Sequence, residues 1–186
     1  MTETLISIDR AIFLFLNGLH GTVLDPVMYW GSASLTWLPL YVWLLYIVIR
    51  KYRWQTIWIL LFIALAVTIS DQLANVVKTW VARPRPTHVA GLQVHTVYGY
   101  TGGAWGFWSS HASNTMAIAV FLIRFLKGQF RYFSCFILAW AVFMSYTRIY
   151  LGVHYPGDIM AGWLAGSLIG WGASRLCIVM IDRTRV

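Results

Sequence analysis

The chain has 186 residues, of which 59% are hydrophobic, 17% aromatic and only 11% charged. This composition provides too much apolar surface for a soluble domain of that length, so it excludes a soluble globular protein and predicts an integral membrane protein. A net charge of +8 often accompanies nucleic-acid binding, but in a membrane protein the basic residues first indicate which side of the bilayer each loop faces. We therefore expect a lipid bilayer around the chain and no nucleic-acid partner.

The N-terminal segment, residues 4–19, repeats apolar side chains at near-helical spacing but is interrupted by Asp9, Arg10 and Asn17. The hydrocarbon core of a bilayer requires roughly 20 consecutive apolar residues, so this segment is too short and too polar to cross it. We predict an amphipathic helix at the membrane interface, with a spanning helix as the less favoured alternative.

Five later segments are apolar enough to cross the bilayer. They are residues 26–49, 54–77, 111–125, 133–150 and 156–181. Residues 81–109, between the second and third of these spans, contain prolines and glycines without a sustained period, which predicts a long loop outside the membrane. The predicted fold is an all-α polytopic helix bundle in one domain over residues 1–186, with five spanning helices and one interfacial helix.

Charge predicts the orientation of this topology. Eight basic residues fall on one side of it: Arg50, Lys51, Arg53, Arg124, Lys127, Arg131, Arg183 and Arg185. Basic loops prefer the cytoplasm, so this side and the C terminus are predicted to be cytoplasmic. The opposite side is predicted to face outward. It carries four cations together with two histidines and an aspartate: Lys78, Arg83, Arg85, Arg148, His111, His154 and Asp158.

The outward side collects three stretches whose chemistry suits phosphate. Lys78 and Arg85 lie at the end of the second span and the start of the loop, and a guanidinium binds phosphate through a planar fork of donors. The alternative for both is that they extend to lipid headgroups. In the second stretch, Ser109, Ser110 and His111 begin a helix whose first free amides favour an anion, although such a sequence is often only a cap.

The third stretch, residues 147–158, contains Arg148, His154 and Asp158 in an otherwise apolar sequence. An imidazole can attack phosphorus or relay a proton, and a carboxylate nearby can fix its tautomer. The alternative is a structural pair of Arg148 and Asp158 beside an interfacial histidine. Because the topology brings all three stretches to one side at the ends of neighbouring helices, we interpret them as one site.

The order and spacing of these stretches resemble the type 2 phosphatidic acid phosphatase superfamily. That family has a Lys separated by six residues from an Arg-Pro, a Pro-Ser-Gly-His motif, and a Ser-Arg motif that ends in His and Asp. The residues that match lie in the region 78–158: Lys78, Arg85-Pro86, Ser109, His111, Arg148, His154 and Asp158. Trp108, Ser110 and Thr147 stand where the family has proline, glycine and serine, and the side chain of Ser110 is expected to reshape the pocket.

The resemblance implies a metal-independent phosphatase without a cofactor. In that mechanism His154 attacks phosphorus to form a phosphohistidine, Asp158 orients His154, and His111 protonates the leaving oxygen and later activates water. The phosphate oxygens are held by Lys78, Arg85, Arg148 and the amides of Ser109 and Ser110.

The small size and outward site resemble bacterial members of the family in the cytoplasmic membrane, for which undecaprenyl pyrophosphate is the expected substrate. Phosphatidylglycerol phosphate, phosphatidic acid and the phosphates of lipid A are alternatives. A different class, a lipid-phosphate binding or transport protein without catalysis, would keep the cations but would not need His111 and His154 with Asp158.

Two further groups of polar residues have predicted roles. Asp71 shares a helix face with Asn75 and Lys78, and we interpret it as a polar contact between helices rather than a group that tunes the site. His88 and His95 are seven residues apart without a third ligand, so we expect surface polarity rather than a metal site.

Overall fold

The computed structural model describes residues 3–184, and these are helical throughout apart from turns and one long connection. The α-helices are α1 (Glu3–Asn17), α2 (Leu24–Ser32), α3 (Leu38–Tyr52), α4 (Thr56–Val81), α5 (Ser110–Leu126), α6 (Phe133–Tyr150) and α7 (Pro156–Arg183). The predicted all-α class is confirmed. Arg185, one of the predicted cytoplasmic cations, lies outside the described residues.

The segment predicted as the first span, residues 26–49, is divided between α2 and α3. Ala33 is extended, with φ −80° and ψ 127°, and a 3-10 turn over Ser34–Trp37 leads into α3. Pro39 occupies the first turn of α3, where its missing N–H costs nothing. In a continuous helix its ring would clash with the carbonyl of Leu35, so the helix cannot pass through this point without a kink.

Three stretches of the described chain are long and apolar enough to cross a membrane: Ser34–Val81, Phe133–Tyr150 and Pro156–Arg183. The first contains both α3 and α4, which a turn at Arg53 separates. The remaining predicted span corresponds to α5, which has 17 residues and is largely buried. The protein is therefore an integral membrane helix bundle, and the count of five spans stays a prediction.

Three glycines on one face of α7 bring this helix against the backbone of α5. A Cβ atom at Gly166 would lie 2.1 Å from the carbonyl oxygen of Ser113, and one at Gly170 would lie 2.3 Å from that of Ala117. Gly162 makes a similar approach, so the stripe follows the small-residue spacing that lets membrane helices pack closely. The first turns of α5 and α7 consequently lie side by side.

The hydrogen bonds at the helix ends define two ends of the bundle. The carbonyl of Phe125, at the end of α5, accepts hydrogen bonds from Lys51 Nζ at 2.7 Å and Tyr52 Oη at 2.9 Å, at the end of α3. The other end, which we call the site end, is formed by the last turns of α4 and α6 and the first turns of α5 and α7. The backbone N–H of Ser109 donates to the carbonyl of Asp158 across it at 3.1 Å.

Helix α1 lies across the site end. Asp9 Oδ1 accepts a hydrogen bond from the N–H of Gly157 at 2.8 Å, at the start of α7. Eight residues further along the sequence, Asn17 Nδ2 donates to the carbonyl of Tyr150 at 2.8 Å, at the end of α6. Asp9 lies midway along α1 and Asn17 is its last residue, so the second half of this helix runs across the site end. That α1 lies at the membrane interface stays a prediction.

Candidate active site

A cavity of about 270 Å³ opens at the site end, between the last turns of α4 and α6 and the first turns of α5 and α7. It contains six of the eight predicted site residues: Lys78, Arg85, Ser110, His111, Arg148 and His154. Ser109 and Asp158 are fully buried behind this lining. The structure thus brings the three sequence stretches to one place.

Asp158 fixes the imidazole of His154. Asp158 is the third residue of α7. Its Oδ2 accepts a hydrogen bond from the N–H of Tyr155 at 3.0 Å, which forms a capping box at the start of the helix. The same oxygen lies 3.4 Å from Nδ1 of His154, a long contact for a hydrogen bond. A proton on Nδ1 would face the carboxylate, and the lone pair of Nε2 would then be free to act as a nucleophile.

The imidazole of His154 is neutral at ordinary pH. Burial lowers its pKa to about 4, the hydrogen bond with Asp158 opposes that shift, and the positive charge of Arg85 adds to it. A histidine can act as a nucleophile only when it carries a free lone pair, and the neutral imidazole meets that requirement.

Three cations face the cavity from different segments. Arg85 Nε donates to the carbonyl of Trp105 at 3.1 Å, Arg148 Nη2 donates to Tyr100 Oη at 2.9 Å, and Lys78 Nζ donates to Ser110 Oγ. Arg85 and Arg148 are 9% and 3% exposed, and none of the three forms a salt bridge within residues 3–184. Buried cations without a counter-ion are unfavourable, so this arrangement favours an anion such as phosphate.

Ser109 caps α5 instead of lining the cavity. Its Oγ accepts the N–H of Ala112 at 3.4 Å, and its own N–H donates to the carbonyl of Asp158. In contrast to the prediction, the Ser109 amide is therefore engaged within the protein and is not free to hold phosphate. Ser110, which does line the cavity, instead bonds Lys78 with its side chain.

Arg83 is a site residue to which the sequence assigned no role. Its Nη1 donates to Asp158 Oδ1 at 2.7 Å, its Nη2 donates to Asp9 Oδ2 at 2.6 Å, and its guanidinium lies 4.1 Å from the ring centre of Tyr155. It therefore links α1 to the buried carboxylate beside His154. The sequence indicated only that Arg83 is a cation near Arg85 on the side predicted to face outward.

Tyr100 also had no predicted role. Its ring lies 5.3 Å from the guanidinium of Arg148, and its hydroxyl accepts the hydrogen bond described above. The residue belongs to the connection between α4 and α5, where no periodicity indicates which side chains turn inward.

The structure changes the interpretation of two polar residues. Asp71 lines the cavity, and its hydrogen bond, 3.2 Å long, comes from Asn75 within α4, so it is not the predicted contact between helices. Ser70 makes the contact between helices instead, since its Oγ lies 2.6 Å from Oγ of Ser113 in α5.

The two histidines of the connection differ. His95 is partly buried and its Nε2 lies 3.0 Å from Asp25 Oδ1, so its prediction as surface polarity was wrong, whereas His88 is exposed.

Residues 56–180 match the PAP2 superfamily, which is about two thirds of the chain. The chain belongs to this family. The lipid A 4'-phosphatase of Bacteroides thetaiotaomicron is 40% identical over 177 residues, which cover 92% of this chain and 77% of that protein. The lipid A 4'-phosphatase of Porphyromonas gingivalis is 34% identical over 172 residues, covering 90% and 72%.

A solved structure has the same fold. It is the crystal structure of a transmembrane PAP2 type phosphatidylglycerolphosphate phosphatase from Bacillus subtilis, with a TM-score of 0.72 and 26% identity over 99% of this chain and 90% of that one. The predicted family and the predicted class of enzyme are confirmed. This PAP2 protein is a membrane lipid phosphatase.

Proposed function

We propose that this PAP2 phosphatase hydrolyses a phosphate monoester of lipid A by way of a phosphohistidine on His154. The observation that carries the mechanism is the convergence of His154, His111 and three cations on one cavity, with Asp158 behind His154. The two relatives named lipid A 4'-phosphatase support this substrate over the undecaprenyl pyrophosphate expected from the sequence. Phosphatidylglycerol phosphate is the second candidate, favoured by the fold match to the Bacillus subtilis enzyme.

In the first step, Nε2 of His154 attacks phosphorus in line while the bond between phosphorus and the lipid oxygen breaks. His111 donates a proton to that oxygen, and Asp158 stabilises the positive charge that develops on His154. Lys78, Arg85 and Arg148 bind the equatorial oxygens, over which the charge of the transition state is spread.

In the second step, water attacks the phosphohistidine and the bond between phosphorus and nitrogen breaks. His111, now neutral, accepts a proton from the water, so both histidines return to their starting forms and inorganic phosphate leaves. The step requires neither an oxidant nor a metal ion. A binding or transport protein without catalysis would have no use for these paired imidazoles.

The cavity is proposed to open on the outer side of the bacterial cytoplasmic membrane, with five spans and a cytoplasmic C terminus. Support comes from the basic residues next to the opposite end of the bundle, where Lys51 bonds Phe125. A substrate in the outer leaflet would then reach the cations without crossing the bilayer.

The test measures phosphate release by purified wild type and by His154→Ala in detergent micelles. The substrates are lipid A, phosphatidylglycerol phosphate, phosphatidic acid and undecaprenyl pyrophosphate, compared by kcat/KM with and without EDTA. We expect the highest value with lipid A, no effect of EDTA, and no release by the variant. Release by His154→Ala at the rate of wild type would contradict the mechanism, and a higher kcat/KM for undecaprenyl pyrophosphate would contradict the substrate.

A further inference from the structure

A second cavity, of about 320 Å³, shares a wall with the catalytic cavity. Three residues line both: Tyr100, His111 and Arg148. The rest of the second lining comes mainly from the end of α2 and the turn that follows it, through Tyr29, Trp30, Ser32 and Ser34. Its volume is within the lower range of small-molecule sites.

The two proposed catalytic histidines are placed differently relative to the two cavities, and this difference indicates where the leaving group of an in-line displacement would lie. His154 lines the first cavity and is absent from the second lining, whereas His111 lines both. The nucleophile and the leaving oxygen must lie on opposite sides of phosphorus. With His154 on one side, the leaving oxygen and the group attached to it extend past His111, towards the second cavity.

We propose that the second cavity binds the sugar ring that carries the phosphate, and that Trp30 and Tyr100 select for it. The inference rests on the proposed function, because it takes His154 as the nucleophile and His111 as the acid. It adds to that function a binding site for the leaving group and two residues that determine specificity.

The lining of the second cavity suits a sugar better than a lipid chain. Tyr29 and Trp30 present aromatic rings in an edge-to-face pair, with centroids 5.7 Å apart, and Ser32, Ser34 and Tyr100 contribute hydroxyl groups. A sugar has a ring face of C–H groups that packs on an aromatic surface and an edge of hydroxyls that requires hydrogen bonds. Ser32 Oγ donates to the carbonyl of Tyr29 at 3.0 Å and Tyr100 Oη accepts from Arg148, so each hydroxyl keeps capacity for a further hydrogen bond. The hydroxyls of a sugar could use that capacity, whereas an acyl or polyprenyl chain could not.

The break between α2 and α3 contributes residues to this cavity. Ser32 ends α2, Ala33 is extended, and Ser34 begins the 3-10 turn. Both serines line the cavity, together with Ala33. The interruption of the predicted first span therefore places polar residues beside His111 and Arg148, where a continuous apolar helix would not.

Tyr100 stands at the boundary between the two cavities. Its hydroxyl accepts a hydrogen bond from Arg148 Nη2 at 2.9 Å, so it orients a phosphate-binding cation from the side of the leaving group. Tyr100→Phe removes that hydroxyl while keeping the ring, which separates its polar role from its packing role.

The experiment compares Trp30→Ala with Trp54→Ala, because the two tryptophans are 59% and 60% exposed and Trp54 lies at the opposite end of the bundle. Each protein is assayed with lipid A and with phosphatidic acid in the same micelles. We expect Trp30→Ala to lower kcat/KM about tenfold for lipid A and less than about twofold for phosphatidic acid. Trp54→Ala should change neither value.

If Trp30→Ala lowered kcat/KM equally for both lipids, or for neither, the proposal that the second cavity binds a sugar would be wrong. A measurement that does not depend on turnover separates this result from failure of the proposed function. Glucosamine 1-phosphate and glycerol phosphate are titrated into His154→Ala by calorimetry, and the sugar phosphate is expected to bind at least about tenfold more tightly. Equal affinities would overturn the inference even if the wild type hydrolyses lipid A, and Tyr100→Phe should reduce the difference.

Discussion

Asp158 has three partners for the two oxygens of its buried carboxylate. Oδ2 bonds the Tyr155 amide and contacts His154, while Oδ1 bonds Arg83. A carboxylate with these partners cannot rotate without breaking a hydrogen bond, so it holds the imidazole beside it in one orientation. This rigidity is what a nucleophile requires when a displacement of about 1 Å can reduce the rate strongly.

Asp158→Asn is expected to lower kcat by about 100-fold or more while KM changes little. The amide can present an N–H to His154, which favours the wrong tautomer, whereas the cations that bind phosphate are retained. The measurement is steady-state phosphate release. Asp182→Asn, near the end of α7 that is far from the site, is the control and should retain activity; a wild-type kcat in Asp158→Asn would show that the carboxylate is dispensable.

The lowered pKa of His154 makes the folded protein sensitive to acid. The unfolded chain protonates this histidine near pH 6.5 and the folded chain near pH 4, so stability is fully present above pH 6.5 and is lost as the pH falls towards 4. The shift corresponds to roughly 3 kcal/mol at most.

We therefore expect the melting temperature in detergent to fall more for wild type than for His154→Gln between pH 7 and pH 4.5. The other titrating groups are common to both proteins, so the difference isolates His154. If the melting temperatures of the two proteins fell by the same amount as the pH was lowered, burial would not be holding His154 neutral.

Helix α7 approaches α5 closely along its glycine stripe. Any side chain at Gly166 must push α7 from α5, because a Cβ would meet backbone 2.1 Å away and backbone cannot turn aside as a side chain can. The separation would also move Asp158 from Ser109 and widen the catalytic cavity.

Gly166→Ala is expected to destabilise the protein by about 1–3 kcal/mol and to lower kcat. Gly172→Ala is the matched control on the same helix, since its Cβ meets nothing within 4 Å. That substitution should be neutral or stabilising, because alanine favours a helix by up to about 1 kcal/mol over glycine. Thermal unfolding in detergent measures both, and equal effects would remove the argument for close packing.

Asp9 links helix α1 to the candidate site through Arg83 and the first turn of α7. Asp9→Asn weakens the hydrogen bonds to Arg83 and to the N–H of Gly157, so both Arg83 and the first turn of α7 lose a partner. We expect a fall in kcat of about fivefold or more, whereas Glu3→Gln, in the exposed first turn of α1, should have no effect. In a double-mutant cycle with Arg83→Ala the effects should be non-additive, because the residues are in contact; additive losses would separate α1 from the site.

At the scale of the whole molecule, the sequence predicted which residues meet at the ends of the helices. It did not predict which residues of the connections between helices reach the site. Lys78, His111 and His154 were predicted together because apolar spans alternate in direction, which brings their ends to one side. Hydropathy missed the break at Ala33, since an average over the whole span hides three short polar residues, Ser32, Ser34 and Thr36. The side chains of Thr36 and Trp37 bond the last carbonyls of α2, and the ring of Pro39 is incompatible with a continuous helix. Tyr100 and His95 were missed because their partners are distant in sequence and no spacing rule relates them.

The distribution of charge at the two ends of the bundle leads to a prediction for the intact membrane. Introducing a cysteine at Thr101, exposed in the connection next to the cavity, or at Gln129, exposed in the turn between α5 and α6, provides one probe for each end. Both are placed in a background with Cys135→Ala and Cys177→Ala. A thiol reagent that cannot cross the membrane should label Thr101→Cys in intact cells, because the basic turns at the other end are predicted to lie in the cytoplasm.

Gln129→Cys should react only after the membrane is permeabilised. Labelling of both positions in intact cells would show that the bundle does not separate its ends across the bilayer. The reverse pattern would place the cavity in the cytoplasm, so the substrate would have to be sought in the inner leaflet. The proposed chemistry at His154 would then be unchanged, since it depends on the helix ends that meet at the cavity and not on the side they face.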